Sequence, residues 1–269
     1  YGLYNRKIRY KIISCSVLFG GDILLYIGID LGTSATKFLL LDEDGKILNS
    51  ISEEYPVIYP QSGWSEQNPD EWWNAVKRGL PKLLSGFNAQ DIRGIGVAGQ
   101  MHGLVVLDEN DEVIRNVILW NDGRTFKETE YLNSVIGKEK LSSETANIAF
   151  AGFTAPKLMW LKNNEPESFN RISKIMLPKD YVNYKLTGVH ACDYSDASGM
   201  LLLDVKSKCW SEEMLQICSV KKEQMPRLFE SYEVIGRVLP SVAKELGVSE
   251  ASVVAGAGDN AAAAVGTGT

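Results

Sequence analysis

The sequence predicts an α/β domain built on a mixed β-sheet, and three features of its opening segments carry the prediction. Residues 26–30, 38–41 and 47–51 are short apolar runs separated by the turn residues Gly32-Thr33-Ser34 and Asp42-Glu43-Asp44-Gly45, which reads as three consecutive strands joined by tight turns. Asn68-Pro69-Asp70-Glu71 then supplies an N-cap, a proline at the first helical position and an acidic first turn. The segment that follows sets Trp72, Val76, Leu80 and Leu83 at helical spacing, so a helix with one apolar face is expected there. Only after that helix do strands and helices alternate.

Further along, residues 92–98 read as a strand, and residues 104–107 and 113–114 as a hairpin around Glu109-Asn110-Asp111. Residues 117–120 form another strand edge, and 125–136 a helix. Residues 138–250 are mainly helical, punctuated by Pro166, Pro178, Pro226 and Pro240. Residues 253–255 make a short strand running into Gly256-Ala257-Gly258-Asp259-Asn260, and the alanines 261–264 open a helix. A doubly wound sheet or a barrel alternates strand and helix from the start, and both are excluded. The order suits a ribonuclease H-like domain, the kind found in actin, hexokinase and the heat-shock ATPases. There are no internal repeats and no low-complexity linker.

With 269 residues, 45% of them hydrophobic, the chain is long enough for one large domain or two small ones. A net charge of −6, with no run of Lys or Arg outside the first dozen residues, excludes nucleic acid as the main partner. Cys15, Cys192, Cys209 and Cys218 fall into no C-x-x-C pair, and only His102 and His190 accompany them, so neither a zinc site nor a disulfide framework is expected. Scattered cysteines fit a reducing cytoplasm. Near the start, Arg6, Lys7, Arg9 and Lys11 precede an apolar stretch in the manner of a secretory signal, but Asp22 interrupts it and no small-residue cleavage site precedes Tyr26. The same Asp and the short length exclude a membrane span. Residues 1–24 are expected to be a translated leader: Gly20-Gly21-Asp22 can be encoded by a purine-rich ribosome-binding sequence, with Leu25 as a TTG start codon.

Two motif matches are set aside. Gly94-Ile95-Gly96-Val97-Ala98-Gly99 fits G-x-G-x-x-G, but it lies inside an apolar strand and leads into another, not into the helix a dinucleotide site needs. No G-x-x-x-x-G-K-[ST] occurs, so a P-loop is absent. Asp30-Leu31-Gly32-Thr33-Ser34 with Lys37 puts a carboxylate at a strand end before a glycine turn rich in hydroxyls and backbone N–H groups. Such a turn wraps a terminal phosphate while the Asp holds Mg²⁺, directly or through water; an ordinary hairpin turn is the plainer alternative, and the position at the end of the first strand favours the phosphate. Asp259, between Gly258 and an Ala-rich helix, is placed to stay ionised and accept a proton from a hydroxyl, or simply to cap that helix. Gln100-Met101-His102-Gly103 and Leu119-Trp120-Asn121-Asp122-Gly123-Arg124 end strands with polar groups suited to hydroxyl recognition beside the apolar walls of Met and Trp, although each is weak alone.

Taken in order, D-L-G-T-S, W-S-E-Q-N-P, G-Q-M-H-G, W-N-D-G-R, G-F-T-A-P-K, L-P-K-D-Y, L-T-G and G-D-N-A resemble the FGGY family of carbohydrate kinases, over residues 26–269. Met101-His102 stands where the glycerol-phosphorylating members carry an Arg-Glu pair. The resemblance implies a two-domain enzyme that transfers phosphate from Mg·ATP to D-xylulose, with the sugar held in the first domain and ATP mostly by the second. Asp259 then matches the catalytic base, and Met101 and His102 the sugar-binding pair. Gln100, Trp120, Asn121, Asp122 and Asn260 are further candidate sugar contacts. Asp30 matches the Asp beside Mg²⁺ and the phosphates, with Gly32, Thr33, Ser34 and Lys37 as its phosphate loop. Residues 25–253 would be the sugar-binding domain, and 254–269 a hinge and the start of a second domain absent from this chain. The family's adenosine pocket has no counterpart here, so the chain alone is expected to be inactive. Ribulose, gluconate or a related polyol is the alternative substrate. A non-catalytic sugar-binding module is the rival from another class, and an actin-like scaffold leaves the polar clusters unexplained.

Overall fold

Apolar alternation decides how the first strands sit. The computed structural model describes residues 24–268. In it β1 (Leu25–Leu31), β2 (Ala35–Leu41) and β3 (Ile47–Glu54) form an antiparallel meander. Leu25, Ile27, Ile29 and Leu31 point to one face with Phe38 and Leu40, whereas Tyr26 and Asp30 point to the other. The buried face receives α1 (Pro69–Leu83), which begins where expected: Asn68 caps it, its side chain accepting from the Asp70 N–H at 3.0 Å. Trp72, Val76, Leu80 and Leu83 on that helix are all 0% exposed. Gly79 allows the close approach, since a Cβ there would stand 2.5 Å from the Phe38 ring.

β4 (Ile92–Gly99) then runs parallel to β1, with Asp30 beside Ala98 and Leu31 beside Gly99. Residues 100–233 form an insertion with its own apolar cluster, in which Leu104, Val106, Ile175, Met200 and Trp210 pack around α2 (Thr154–Asn164). Also within it, α3 (Pro178–Thr187) packs against β4 and α1. The chain returns as β5 (Val234–Arg237), β6 (Ser252–Val254) and β7 (Ala257–Gly258), followed by α4 (Asp259–Thr267). Both β6 and β7 pair parallel to β4 on its free side, and β5 closes the edge antiparallel to β6. The order β5-β6-β4-β1-β2-β3, with β2 antiparallel to its neighbours, is the mixed α/β sheet that the sequence predicted. It extends through residue 258.

One expectation is corrected. Residues 104–107 and 113–114 do not form a full hairpin: Val105–Leu107 pairs antiparallel with Lys174–Met176, and only a bridge joins Leu107 to Val113. Pairing with this partner, distant in sequence, leaves Val105, Val106 and Ile175 completely buried. The helix expected over 125–136 is helical but divided, as Phe126–Tyr131 in α form and Leu132–Gly137 with π-type bonding. The G-x-G-x-x-G match lies within β4, as its context required. The leader expected over residues 1–24 lies outside the described residues except for Leu24. Among the described residues, no helix is long and apolar enough to cross a membrane.

Between β6 and β7 the backbone must turn out of the ladder and come back. Gly256 does this at φ +75°, and a Cβ there would lie 1.8 Å from the Val97 carbonyl oxygen. Gly256→Ala is therefore expected to lower unfolding free energy by more than about 2 kcal/mol. A shift of the urea midpoint toward lower concentration checks this, and an unchanged midpoint contradicts the strained turn.

Candidate active site

Strand register assembles the site. Asp30, Ala98 and Ala257 lie side by side on β1, β4 and β7, so the three parallel strands end together. The turns that leave them carry Gly32-Thr33-Ser34, Gln100-Met101-His102 and Asp259-Asn260. Ligands of open α/β sheets bind at such carboxyl ends. Three of the predicted motifs, remote in sequence, are thus brought to one place.

On the first turn, Asp30 faces the open side of the sheet, directly across from Lys37 on β2. Burial pushes its carboxyl above the ordinary value; Lys37 pulls it down, and the Asp259 carboxylate pushes it up. The Gly32 N–H is not free for a phosphate: it closes the turn on the Ala35 carbonyl at 3.0 Å. Ser34 is exposed. Thr33 is tied to the next turn, its hydroxyl donating to Gln100 Oε1 at 3.3 Å and accepting from Trp120 Nε1 at 3.1 Å. Gln100 is 2% exposed and serves as a brace, because its amide also donates to Gln67 Oε1 at 3.0 Å. Gln67 in turn donates to the Thr33 carbonyl at 2.6 Å. The role of Gln67 was missed, although the W-S-E-Q-N-P motif that contains it stands out in the sequence.

Met101 and His102 occupy the middle turn. Met101 lies over Gly258, where a Cβ would meet its sulfur at 2.9 Å, so it adjoins Asp259. His102 has φ 67°, a conformation held by its carbonyl, which accepts from Lys157 Nζ at 2.8 Å and Thr154 Oγ1 at 3.2 Å. Its ring rests on Phe153, centroids 4.7 Å apart. Nδ1 is 2.9 Å from the Gly199 carbonyl, which can only accept, so Nδ1 carries the proton and Nε2 is left as an acceptor for a hydroxyl. Burial, then the Lys157 ammonium, lower the His102 pKa to about 4.

Trp120 is 48% exposed and forms a wall anchored through its indole N–H to Thr33. Asn121 is exposed on the same turn. Asp122 departs from expectation. It is 2% exposed, and its oxygens accept from the Ser65 N–H at 2.6 Å and from the Arg124 guanidinium at 2.8 and 2.9 Å. That guanidinium stacks 3.7 Å from the Trp64 ring and also reaches Glu66. Asp122 therefore holds the turn from behind and presents no free oxygen to a ligand.

Asp259 begins α4, exposed, where the helix N-terminus favours a carboxylate. Its Oδ1 accepts from the Asn260 N–H at 2.7 Å. Asn260 is exposed beside it. A groove of about 460 Å³ runs from Asp30 and Lys37 over Gly28, Gly96 and Ala98 to Ala262 on α4. Among the described residues no cluster of three or more ligating side chains could hold a metal ion. The single carboxylate Asp30 fits a Mg²⁺ that takes its other ligands from phosphates and water.

The description "FGGY family of carbohydrate kinases, N-terminal domain" matches residues 25–266. The chain belongs to that family. The xylulose kinase of Escherichia coli K12 is 46% identical over 244 residues, covering 91% of this chain and 50% of that protein. Among solved structures, the ligand-bound xylulose kinase of Lactobacillus acidophilus matches with a TM-score of 0.85 at 30% identity, over 91% of this chain and 50% of that one. The gluconate kinase of the same organism matches with a TM-score of 0.84 at 31% identity, over 88% and 48%. The chain thus spans about half the length of the relatives it matches. These proteins share the central mixed sheet and the FGGY N-terminal fold, which is actin- and hexokinase-like.

A His pKa of about 4, below the free value, means that His102 stays neutral at physiological pH. Its contribution to stability is full above the unfolded value near 6.5 and is lost as pH falls toward about 4. In an NMR titration the His102 ring should show no protonation between pH 7.5 and pH 5.5. A midpoint above pH 6 contradicts the buried, Nδ1-donating ring.

Proposed function

We propose that the protein containing this chain transfers the γ-phosphoryl group of Mg·ATP to the 5-hydroxyl of D-xylulose. The observation that carries the reading is the convergence of Asp30, Met101-His102 and Asp259 at the ends of three adjacent parallel strands. Xylulose is favoured over gluconate by relatives such as the xylulose kinase of Escherichia coli K12 at 46% identity; the xylulose and gluconate kinases of Lactobacillus acidophilus, at 30% and 31%, stand level.

In this reading the sugar lies against Met101, with one hydroxyl donating to His102 Nε2 and the indole of Trp120 as a wall. The 5-hydroxyl faces Asp259, which accepts its proton as the sugar oxygen bonds to the γ-phosphorus. The bond from that phosphorus to the β–γ bridging oxygen breaks, and ADP leaves. Asp259 is suited to this because it is exposed and at a helix N-terminus, where a carboxylate is favoured, and a positioned base contributes about 10²–10⁴-fold. Asp30 would hold a Mg²⁺ ion, which would supply charge neutralisation on the phosphates. Asp30 and Lys37 would hold the phosphate end, with Thr33 and Ser34 on the turn above them. Thr33 and Gln100 join the phosphate turn to the sugar turn through one hydrogen bond, so the two ends share a frame. The adenosine pocket and the lobe that closes over it would come from a further domain, and the chain alone would bind sugar without turning over ATP.

An ADP-release assay on the full-length protein with D-xylulose, D-ribulose, gluconate and glycerol tests this. Xylulose-dependent turnover should fall by about 10²–10⁴-fold in Asp259→Ala. Turnover that survives the substitution, or a preference for another sugar, overturns the corresponding part of the proposal.

A further inference from the structure

We propose that a buried chain, Lys179–Asp193–Ser195, positions Asp259, and that the same segment, residues 193–199, also positions His102, so that one element sets both sides of the sugar site. This rests on the functional reading above, in which Asp259 is the base and His102 a sugar contact.

The chain starts at Lys179 in the first turn of α3, beneath the end of β4; a Cβ on Gly99 would stand 3.5 Å from Lys179 Cβ. Its side chain is 0% exposed, and its ammonium lies 2.6 Å from Asp180 Oδ1, 2.9 Å from Asp193 Oδ1 and 3.8 Å from Asp196 Oδ2. Burial works against that charge, but the carboxylates of Asp180, Asp193 and Asp196 hold Lys179 protonated. Asp196, also 0% exposed and without a hydrogen-bond partner for either oxygen, is pushed up by burial; Lys179 pulls it down, and the charges of Asp180, Asp193 and Asp259 push it up. The two short contacts of the ammonium therefore go to Asp180 and Asp193, and Asp196 stands farther off.

The polarity of the next links follows from that charge. Asp193 Oδ2 accepts from the Ser195 N–H at 2.9 Å, the Ser195 hydroxyl at 2.5 Å and the Ser231 hydroxyl at 2.8 Å. A carboxylate can only accept, so the Ser195 hydrogen must point to Asp193 and its lone pairs away from it. Those lone pairs receive the Gly258 N–H at 3.3 Å, on the residue that precedes Asp259. The short helix Tyr194–Ala197 that carries Ser195 packs on β7. Two residues past that helix, the Gly199 carbonyl takes the His102 Nδ1 proton, and a Cβ on Gly199 would lie 2.5 Å from the His102 ring. The base and the sugar-facing imidazole thus hang from opposite ends of one segment.

Neither Lys179 nor Ser195 touches the reacting atoms in this arrangement; they are positioning residues. Small misplacement of a reacting group is costly in rate, on the order of 10²-fold for about 1 Å. In the full-length protein, Ser195→Ala should lower kcat for xylulose by about 10- to 100-fold while KM stays within about threefold. Ser195→Thr, which keeps the hydroxyl, should restore most of the rate, and Asp193→Asn should reproduce the loss. In an Asp259→Ala background, Ser195→Ala should cost nothing further, because both changes act through the same group. A readout without substrate accompanies these: amide exchange at Gly258 should be at least about tenfold faster in Ser195→Ala, with the β1 and β4 amides unchanged. Full activity in Ser195→Ala with unaltered Gly258 exchange overturns the proposal, as does an equal loss in Ser195→Thr and Ser195→Ala. Accelerated Gly258 exchange in a protein that phosphorylates no sugar supports the positioning of this peptide and refutes the kinase reading separately.

Discussion

The register of β4 against its two parallel neighbours is the constraint on which the rest of the structure depends. With Asp30 beside Ala98 and Ala98 beside Ala257, strands that begin more than two hundred residues apart end level. A slip of one residue on either side would turn Asp30 into the buried face, or lift Asp259 away from Met101. The apolar alternation prevents this, because Ile29 and Leu31 must face α1 and Phe38. Gly99, with no room for a Cβ beside Leu31, and Gly256, at positive φ beside the Val97 carbonyl, permit the close approach on both flanks. The same small residues on β4, Gly94, Gly96 and Ala98, leave the open face of the sheet smooth. The dinucleotide-like pattern they make in sequence reflects sheet packing.

Two buried charge clusters frame the site and differ in balance. Behind the Trp120 turn, Arg124 and Arg115 meet Asp122, Glu66 and Glu165, with Trp64 and Trp160 as flanking rings. Donors and acceptors there are nearly matched, and the cluster acts as a fixed buttress. Under the Asp259 turn, one ammonium faces three carboxylates, with none of the four exposed. Removing a partner from a buried pair of this kind costs about 3–5 kcal/mol, so retaining an unmatched one calls for an explanation beyond stability. Orientation of the Ser195 hydroxyl toward Asp193 and of its lone pairs toward Gly258 supplies one.

What was legible in the sequence was local or strongly periodic. The start of α1 could be read from Asn68-Pro69-Asp70-Glu71 because capping and dipole effects act within one turn. The opening meander could be read because its turns are short and its strands apolar. The strand 105–107 was matched to the wrong partner, since nothing near it announces residues 174–176. Candidate ligand residues were recognised as a set through their motifs, yet roles within the set were not. Asp122 looked like a pocket residue, and only the fold shows that Arg124, two residues on, and Ser65 consume it. Gln100 read as a candidate sugar contact and Gln67 as part of a motif without a role, until their mutual hydrogen bond appears. Lys179 belongs to the L-P-K-D-Y motif, but a buried ammonium has no sequence signature apart from the burial of its neighbours.

The most direct test of the account is the crystal structure of the full-length protein with D-xylulose bound. The account predicts the sugar between Met101, His102 and Asp259, its 5-hydroxyl about 2.6–3.2 Å from the Asp259 carboxylate. A second hydroxyl should sit on His102 Nε2, with Nδ1 still on the Gly199 carbonyl. Sugar bound elsewhere, or bound here with Asp259 turned from every hydroxyl, would contradict the central claim that the ends of β1, β4 and β7 form the phosphoryl-transfer site.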